Sequence, residues 1–256
     1  MTDLTSNSWY LDPLVARQKA AVIHALVVRW AKPTLKGTVL KTDLFEEANG
    51  EDHILDTLPA WGSSVVGMDH DAHTVAVARR RLGSSALQMT VSDLCAMNFL
   101  DESFDLIMST STLDHFESRA EFVQALEELV RVVRPGGTMI LLLDNPWNPA
   151  YWPLRLLCHR VTSFSLGYTM TLRGFRRELE SLGLRTLGTD YAIHNLRMVS
   201  TLLFLLLRKL LGGKAEAVIA AFIRLFEMIG TLPTKPLTAC FSVVCVEKPA
   251  PDKIPA

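Results

Sequence analysis

The chain has 256 residues, of which 49% are hydrophobic and 21% are charged, and its formal net charge at pH 7 is −1. This length fits one α/β domain, with or without a sizeable insertion, and it supplies enough apolar residues for a large core. The near-neutral balance gives no sign of the strongly basic surface that binds nucleic-acid phosphates, so no nucleic-acid partner is predicted. The mean hydropathy of +0.21 is high, and the apolar excess lies in the last quarter of the chain.

The cysteines and the first residues bear on metal sites and on location. Cys95, Cys158, Cys240 and Cys245 show no C-x-x-C spacing and no neighbouring histidine cluster, so neither a disulfide framework nor a metal site is predicted. Residues 1–13 lack the basic and apolar regions of a secretion signal. We therefore expect a cytoplasmic protein.

The amphipathic segment 9–31 predicts an N-terminal helix that begins near Pro13 and ends before Pro33. Two roles fit this helix. It covers the core, or it forms a lid over a pocket and carries Trp9 and Tyr10.

Strands and helices then alternate along the chain. Short apolar runs predict strands and amphipathic spacing predicts helices, and this alternation is typical of a doubly wound sheet with right-handed crossovers. The predicted elements, in order, are strand 37–44, helix 51–60, strand 65–68, helix 75–82, a strand before residue 93, strand 106–109, helix 118–133, strand 138–143, helix within 150–182, strand 184–190 and a closing strand that begins near residue 241.

Two of the predicted strands end in a carboxylate. Asp69 follows the apolar run 65–68, and Asp93 follows the next strand. In an open α/β sheet, ligands bind outside the carboxyl ends of the strands, where an acid can accept hydrogen bonds from a ribose diol. Asp69 is therefore the first candidate binding residue.

Three motifs carry a family resemblance. VVGMDHDAHTVAVARRRL, SDLCAMNFLDESFDLIMSTSTLDHF and LEELVRVVRPGGTMILLL resemble the second to fifth strand regions of class I S-adenosylmethionine-dependent methyltransferases, over roughly residues 36–145. The resemblance implies a Rossmann-like, doubly wound, seven-stranded α/β sheet. That sheet is mostly parallel with an antiparallel last strand, and a helical insertion is added to it here.

The same resemblance implies a cofactor, S-adenosyl-L-methionine, and residues that bind it. Asp69 corresponds to the acid that holds the ribose hydroxyls, and Asp93 corresponds to the acid that contacts the adenine amino group. Further positions implied to flank the cofactor are Met68, His70, Leu94, Cys95 and Ser109, with simple core packing as the alternative for Leu94 and Cys95.

The first motif departs from the family pattern. The family has an acid followed by a G-x-G turn, whereas this chain has KTDLFEEANG at residues 41–50. Asp43 takes the place of the acid beneath the methionine moiety, and Gly50 takes the place of the last glycine. Glu46 and Glu47 either attract the positive charges of the cofactor or face solvent.

Residues beyond the fourth and fifth strands are candidates for the acceptor side. His115, with Asp114 beside it, is the candidate general base for an acceptor that arrives protonated, and a purely structural role is the alternative for this histidine. The sequence DNPW at residues 144–147 resembles a motif of amino-group methyltransferases, but it follows the fifth strand and lacks the second proline. The predicted substrate-binding residues are Trp147, Tyr151, Tyr191 and His194.

Residues 196–231 are strongly apolar and predict a helical hairpin divided at Gly212 and Gly213. The uncharged run 198–207 is far shorter than the roughly 20 residues needed to cross a bilayer. Three roles fit the hairpin: a homodimer interface, a cover over a hydrophobic substrate, or a peripheral contact with a membrane.

The expected division of the chain follows from these segments. It comprises an N-terminal helical cover (1–35), a cofactor-binding core (36–145), acceptor-side helices with the sixth strand (146–195), an apolar helical insertion (196–238), a closing strand (239–248) and a tail (249–256).

The predicted function is methyl transfer to an oxygen, nitrogen or carbon atom of a small, hydrophobic molecule. Two alternatives remain open at this point. One is a non-catalytic binding or assembly subunit, and the other is a cofactor-binding enzyme that catalyses a non-methylating reaction such as cyclisation.

Overall fold

The computed structural model describes residues 12–31, 37–58, 64–83, 87–110, 112–153, 155–156, 166–195 and 198–250. The predicted lid residues Trp9 and Tyr10 lie outside this part of the chain, as do Cys158 and most of the tail. The elements, in chain order, are α1 (Pro13–Trp30), β1 (Thr38–Lys41), α2 (Phe45–Asn49), β2 (Ser64–Asp69), α3 (Ala72–Leu82), β3 (Leu87–Val91), β4 (Phe104–Ser109), α4 (Arg119–Val132), β5 (Val133–Asp144), α5 (Leu172–Ser181), β6 (Arg185–His194), α6 (Met198–Leu211), α7 (Ala215–Gly230), α8 (Lys235–Thr238) and β7 (Ala239–Glu247).

The strands form one seven-stranded sheet in the order β3-β2-β1-β4-β5-β7-β6. The pairs among β1 to β5 are parallel, whereas β7 runs antiparallel to both β5 and β6. The predicted fold class, a mostly parallel seven-stranded sheet with an antiparallel last strand, is confirmed. Because β7 is antiparallel to both of its neighbours, β6 runs parallel to β5. The carboxyl ends of β1 to β6 therefore lie at the same edge of the sheet.

Helices cover both faces of the sheet. Apolar residues of α1 and α3 pack on one face, and those of α4 and α5 pack on the other. The inner strands are continuous apolar runs, such as the residues 139–143 of β5, because a parallel sheet buries both of its faces. This core fixes the strand ends that position the candidate site.

Local signals account for the helix ends. Ser118 caps α4 in a capping box with Glu121, and Thr171 caps α5. Asp12 caps α1, so this helix begins at Pro13 and ends at Trp30, within the predicted range. β5 is longer than the predicted strand, since it begins at Val133 and continues through Gly136, which has a φ of +78°.

The prediction of a helix over residues 51–60 is wrong. The helix in this region is the short α2, at Phe45–Asn49, and the described residues after it form turns. The expectation that Glu46 and Glu47 face solvent is also wrong, because both are buried. The two lysines that pair with them, described below, remove the cost of burying these carboxylates at the start of a helix.

α6 and α7 form the predicted helical hairpin between β6 and β7. The hairpin has a small apolar cluster of its own, in which Phe204 of α6 and Ile219 of α7 pack against Val15 of α1. Among the described residues, no helix is both long enough and apolar enough to span a membrane.

Candidate cofactor and acceptor site

The candidate site is built on the carboxyl edge of the sheet. Asp69 ends β2, Ser109 ends β4 and Asp144 ends β5, while Asp93 lies two residues beyond β3. Because these strands are parallel and in neighbouring positions, their carboxyl ends present the polar side chains along one line. The residues predicted to contact the adenosine and the acceptor therefore share this edge.

Asp69 is held in a fixed orientation. Its Oδ2 accepts a hydrogen bond from the backbone N–H of Leu44 at 3.1 Å, and its Oδ1 accepts one from the N–H of Asp71 at 2.9 Å. Only 8% of the residue is exposed. A carboxylate has about four acceptor positions, so two remain for a pair of ligand hydroxyls. This arrangement suits a ribose diol.

Asp93, Leu94 and His70 surround the same strand ends. Asp93 is exposed, and its Oδ1 accepts the N–H of Cys95 at 2.8 Å, which fixes the turn after β3. Leu94 is buried in the cluster beneath α4, whereas His70 is exposed beside Asp69, with 3.4 Å between its Nδ1 and Oδ1 of Asp69. The turn after β3 thus offers a carboxylate to solvent and an apolar side chain to the core.

The first loop replaces the glycine turn with buried charges. Nζ of Lys41, at the end of β1, lies 2.8 Å from Oε2 of Glu47 and 3.4 Å from Oε2 of Glu46, and it also donates to the backbone carbonyl of Asp43. Glu47 accepts two further hydrogen bonds, both at 3.2 Å, from the backbone N–H groups of residues 54 and 55. The loop is therefore shaped by ion pairs rather than by glycine conformations.

A second lysine reaches this loop from α1. Nζ of Lys19 lies 2.8 Å from Oε1 of Glu46 and 2.7 Å from Oδ2 of Asp52. All three side chains are buried. Gly50, at the end of α2, makes room for Asp52, because a side chain at position 50 would collide with the Asp52 carboxylate. We refer to Lys19, Lys41, Glu46, Glu47 and Asp52 as the buried charge network.

These neighbours change the pKa values of the network. Burial alone lowers the pKa of Lys41, but Glu47 and Glu46 outweigh it and hold that pKa above its ordinary value. Burial raises the pKa of Glu46, and Lys19 and Lys41 outweigh that effect, so the net pKa of Glu46 is lowered. Lys41 and Glu46 are therefore ionised at neutral pH.

Asp43 behaves differently because it lies beside the network and forms no ion pair with any of the residues that the structure describes. Burial raises its pKa, the Glu46 charge raises it further, and the opposing effects of Lys41 and the Phe45 N–H leave it at about 8. Its Oδ1 accepts the N–H of Phe45 at 2.7 Å. The backbone N–H of Leu44, the residue after Asp43, donates to Oδ2 of Asp69. Asp43 therefore lies close to Asp69, with one peptide unit between them.

Sequence reasoning missed Lys19, Lys41 and Asp52. Two signals were present in the chain: Lys41 stands in an otherwise apolar strand, and Lys19 falls on the inner stripe of α1 with residues 15, 16, 23, 26 and 27. A charged residue at a core position is rarely buried unless it is paired, and KTDLFEE supplies partners two to six residues later.

The end of β4 carries buried hydroxyl groups. Within the described residues, Oγ of Ser109 and Oγ1 of Thr110 are buried and have no hydrogen-bond partner. Thr112, beyond them, lies 2.9 Å from Thr42 between the two Oγ1 atoms, which ties this loop to the end of β1. Ser109 and Thr110 therefore supply unused polar atoms at the centre of the edge.

Asp114 and His115 form a short 3-10 turn after β4. Asp114 is buried and His115 is exposed, so the two side chains face different surroundings. The turn is fixed by the segment that precedes α5. The N–H of Gly167 donates to the Asp114 carbonyl at 2.8 Å, and the N–H of Tyr168 donates to the Phe116 carbonyl at 2.5 Å. The imidazole of His115 is thus presented to solvent from a rigid turn.

The loop after β5 carries two of the predicted acceptor residues. Trp147 is more than half exposed, whereas Tyr151 is fully buried and donates its hydroxyl hydrogen to the Gly167 carbonyl at 3.4 Å. Asn145 and Asn148 fasten this loop to the base of the hairpin. Nδ2 of Asn145 donates to Pro236 O at 2.6 Å, and Nδ2 of Asn148 donates to Ala239 O at 3.1 Å.

Tyr191 and His194 lie at the end of β6, where the hairpin begins. Burial lowers the pKa of His194 and raises that of Tyr191. Nδ1 of His194 lies 2.9 Å from Oγ1 of Thr238, and its ring packs so closely on Gly230 that a side chain there would collide with it. His194, which precedes the hairpin, therefore contacts the end of α7 and the segment that leads back to β7.

The residues at this edge fit the donor and acceptor pattern of S-adenosylmethionine. Asp69 has acceptor positions for the ribose, Asp93 offers an acceptor for an amino group, and Ser109 and Thr110 offer unused hydroxyls. Asp43 adds a carboxyl group beside Asp69. Within the described part of the chain, no group of three or more His, Cys, Asp or Glu residues is arranged to hold a metal ion.

The chain matches known proteins in the same region. Residues 46–141 match the family model described as a methyltransferase domain. That match begins after Lys41, so it leaves out the start of the departing first motif.

Two curated relatives have different printed functions. The chain is 26% identical to 2-methyl-6-phytyl-1,4-hydroquinone methyltransferase of Synechocystis sp. over 188 residues, which are 68% of this chain and 57% of the relative. It is 29% identical to "Probable tRNA methyltransferase 9B" of Mus musculus over 115 residues, which are 39% of this chain and 24% of that protein. The chain thus spans little more than half, or less, of the length of these relatives.

A solved structure extends the likeness to the whole chain. A Haloferax volcanii protein, crystallised with the Trm112 methyltransferase activator, matches with a TM-score of 0.60 at 16% identity, over 96% of this chain and 98% of that one. At this identity the match establishes the fold. The matching domain model and the strand-end carboxylates make the chain similar to S-adenosylmethionine-dependent methyltransferases over residues 46–141, and the cofactor of that domain family is S-adenosylmethionine.

Proposed function

We propose that the protein transfers a methyl group from S-adenosylmethionine to a small lipophilic acceptor of the hydroquinone class. The observation that carries the proposal is the apolar hairpin joined to the cofactor edge, where Asn145 and Asn148 connect the loop after β5 to the hairpin base. An acceptor bound at the base of the hairpin contacts Trp147 and is covered by the apolar hairpin. The hydroquinone methyltransferase named above supports the same acceptor class.

In this proposal the strand-end residues hold the cofactor. Asp69 binds the ribose, Asp93 binds the adenine amino group, and Asp43 faces the methionine half with Ser109 beside it. The cofactor supplies an electrophilic methyl group on a sulfonium ion. Methyl transfer is an in-line displacement, so the protein chiefly aligns the two reactants and excludes water.

The acceptor-side residues have separate roles. His115, with Asp114 in the same turn, takes the proton from an acceptor hydroxyl, since an imidazole titrates near neutral pH. Trp147, Tyr191 and His194 lie nearest to the hairpin and shape the acceptor site. Tyr151 supports it from within, because its ring is fully buried.

The test combines binding with product detection. Isothermal titration with S-adenosylmethionine measures the cofactor affinity, and mass spectrometry detects S-adenosylhomocysteine and methylated product formed from a phytylated hydroquinone. Asp69→Asn keeps an oxygen for the Leu44 N–H but places a donor against the ribose hydroxyls. We expect binding to weaken by about 1–3 kcal/mol, or about 5- to 150-fold.

Asp101→Asn is the matched control, since Asp101 is an exposed carboxylate in the loop before β4 that pairs with Arg131. It should bind the cofactor as the wild type does. An unchanged affinity in Asp69→Asn would remove Asp69 from the cofactor site. Cofactor binding without methylation of the hydroquinone would refute the proposed acceptor class alone.

The buried charge network favours a second candidate function. In the family, a glycine turn approaches the methionine half of the cofactor, whereas ion pairs take its place in this chain. A non-catalytic assembly subunit that retains the fold is therefore the second candidate. That candidate predicts no heat on titration at millimolar cofactor. A third outcome, conversion of a substrate by cyclisation, would consume no cofactor and release no S-adenosylhomocysteine.

A further inference from the structure

The solvent side of α6 is apolar. Val199, Leu202, Leu205, Leu206 and Leu210 follow one another at spacings of one, three or four residues, so they lie on one face of the helix. Leu202 is 63% exposed, Leu206 51% and Leu210 69%. A surface helix ordinarily turns charged or polar residues to solvent. Here the outward face consists of aliphatic side chains and one lysine, Lys209.

This exposure is not a failure of the hairpin to pack. The opposite side of α6 carries Phe204 and Ser200, both buried, and Phe204 packs with Ala215 and Ile219 of α7. The hairpin therefore has its own core and still leaves an apolar surface. α7 also exposes Leu225 and Met228, and the following turn exposes Leu232. We call these eight residues, 199, 202, 205, 206, 210, 225, 228 and 232, the outer apolar face.

Three exposed cations border the outer apolar face. Lys209, Lys214 and Arg224 are exposed, and within the described residues none of them has an ion-pair partner. The acids of α7 are directed elsewhere: Glu227 accepts a hydrogen bond from Gln18 of α1 at 3.0 Å, and Glu216 lies near Arg208, which pairs with Asp12. The face is thus aliphatic with a cationic rim.

An anionic lipid surface complements this combination. Amphipathic helices with apolar side chains on one side and Lys or Arg at the borders lie in the plane of the membrane interface. A second copy of the chain fits less well. A symmetric dimer would place the same patch on both subunits and gather the cations Lys209 and Arg224 of both copies at one interface. Lysine is also depleted at the centre of protein interfaces.

The length of the hairpin agrees with a surface position. α6 has 14 residues and α7 has 16, so at about 1.5 Å per residue both are shorter than the roughly 30 Å hydrocarbon core of a bilayer. Such helices can lie on a bilayer but cannot cross it. The turn between them carries Lys214, which remains at the level of the headgroups in this orientation.

The hairpin also lies where membrane contact has a use. It leaves the sheet at His194 and returns at Ala239, so both of its ends are at the carboxyl edge that carries Asp69. Asn148 connects the loop of the exposed Trp147 to both hairpin ends, through the carbonyls of Asn195 at 3.2 Å and Thr238 at 3.4 Å. Tryptophan is enriched at membrane interfaces.

We propose that the outer apolar face docks on an anionic lipid bilayer, with the hairpin lying in the plane of its surface. Docking brings the acceptor side of the sheet to the lipid, from which a lipophilic molecule can enter. Membrane docking itself does not depend on methyl transfer, so it can hold or fail independently of the proposed function.

The test is co-sedimentation of the full chain with two kinds of vesicle, phosphatidylcholine alone and phosphatidylcholine mixed with phosphatidylglycerol. We expect the wild type to sediment with the mixed vesicles and only weakly with phosphatidylcholine. The double variant Leu206→Glu, Leu210→Glu should bind the mixed vesicles at least about tenfold more weakly, since two leucines lose their contact with the acyl region. Lys209→Glu combined with Arg224→Glu should remove the preference for the anionic vesicles.

Leu100→Glu is the matched control, because Leu100 is a highly exposed leucine in the loop before β4, away from the hairpin. It should bind the mixed vesicles as the wild type does. Circular dichroism verifies that each variant is folded, and light scattering records the oligomeric state. No binding to either vesicle overturns the proposal, as does equal binding by the wild type and the leucine variant. A dimer that dissociates in the leucine variant, without vesicle binding, assigns the face to a second copy instead.

Discussion

Lys41 tests whether the buried charge network holds the first loop. Its ammonium group is almost fully buried and lies 2.8 Å from Oε2 of Glu47 and 3.4 Å from Oε2 of Glu46. Lys41→Met keeps much of the side-chain volume and removes the charge. Glu47 then remains buried with two backbone N–H groups but no cation, whereas Glu46 keeps Lys19.

The expected cost follows from leaving a buried charge without its partner, which typically destabilises a protein by about 3–5 kcal/mol. For a chain of this size, each kcal/mol lowers the melting temperature by about 2–4 °C, so the shift should be about 6–20 °C. The double variant Lys41→Met, Glu47→Gln removes both charges and should recover a large part of the loss. The assay is thermal and urea unfolding of the wild type, both single variants and the double variant, analysed as a double-mutant cycle.

Arg134→Met is the surface control, because Arg134 pairs with Asp105 at 2.6 Å but is about half exposed. Its effect should be about 0–1 kcal/mol, as for other exposed ion pairs. If Lys41→Met costs no more than Arg134→Met, the network does not stabilise the loop. The same conclusion follows if the losses of Lys41→Met and Glu47→Gln simply add in the double variant.

Two further predictions concern titration and catalysis. Burial and Glu46 raise the pKa of Asp43 to about 8, so between about pH 5 and 8 the folded chain holds a proton that the unfolded chain has released. Stability should therefore fall as pH rises through this window, and Asp43→Asn should flatten the fall in urea unfolding curves; an identical pH profile in the variant would contradict the assignment. Glu46 does not contribute to the change of stability in this pH window, because its lowered pKa leaves it ionised in the folded state as in the unfolded state. His115→Ala should lower turnover without greatly changing cofactor affinity, and unaltered turnover would leave this exposed histidine with no role as a base.

The sheet and its acidic strand ends could be predicted from the sequence because their signals are local. Asp69 follows an uninterrupted apolar run, and Ser118 precedes a helix with Glu121 in the capping-box position. The alternation of such segments restricts the topology to a doubly wound sheet. The resemblance then supplied the strand pairing that local patterns leave open, including the antiparallel β7.

The first loop could not be predicted in this way, because its structure depends on a residue far away in the chain. Glu46 and Glu47 look like the solvent face of a helix until Lys19 of α1 is placed against Glu46 and Lys41 against Glu47. The pattern of polar and apolar residues along the sequence does not show a contact between residues so far apart in the chain. The helix predicted over residues 51–60 failed for the same reason, since Asp52 is turned inward toward Lys19.

α1 connects the two unusual features of the molecule. Asp12 at its start pairs with Arg208 of α6, and Gln18 bonds to Glu227 of α7, so its first half supports the hairpin. Lys19, the next residue, enters the buried charge network of the first loop.

The same helix therefore positions the apolar surface and the segment that stands in place of the glycine turn. A glycine turn shapes its loop from within the loop, through backbone conformation. Here the corresponding segment is stabilised by ion pairs with Lys41, at the end of β1, and with Lys19 of α1. α1 is also the helix that contacts the hairpin. The cofactor half of the site and the acceptor half are thus joined through one rigid element rather than through the sheet alone.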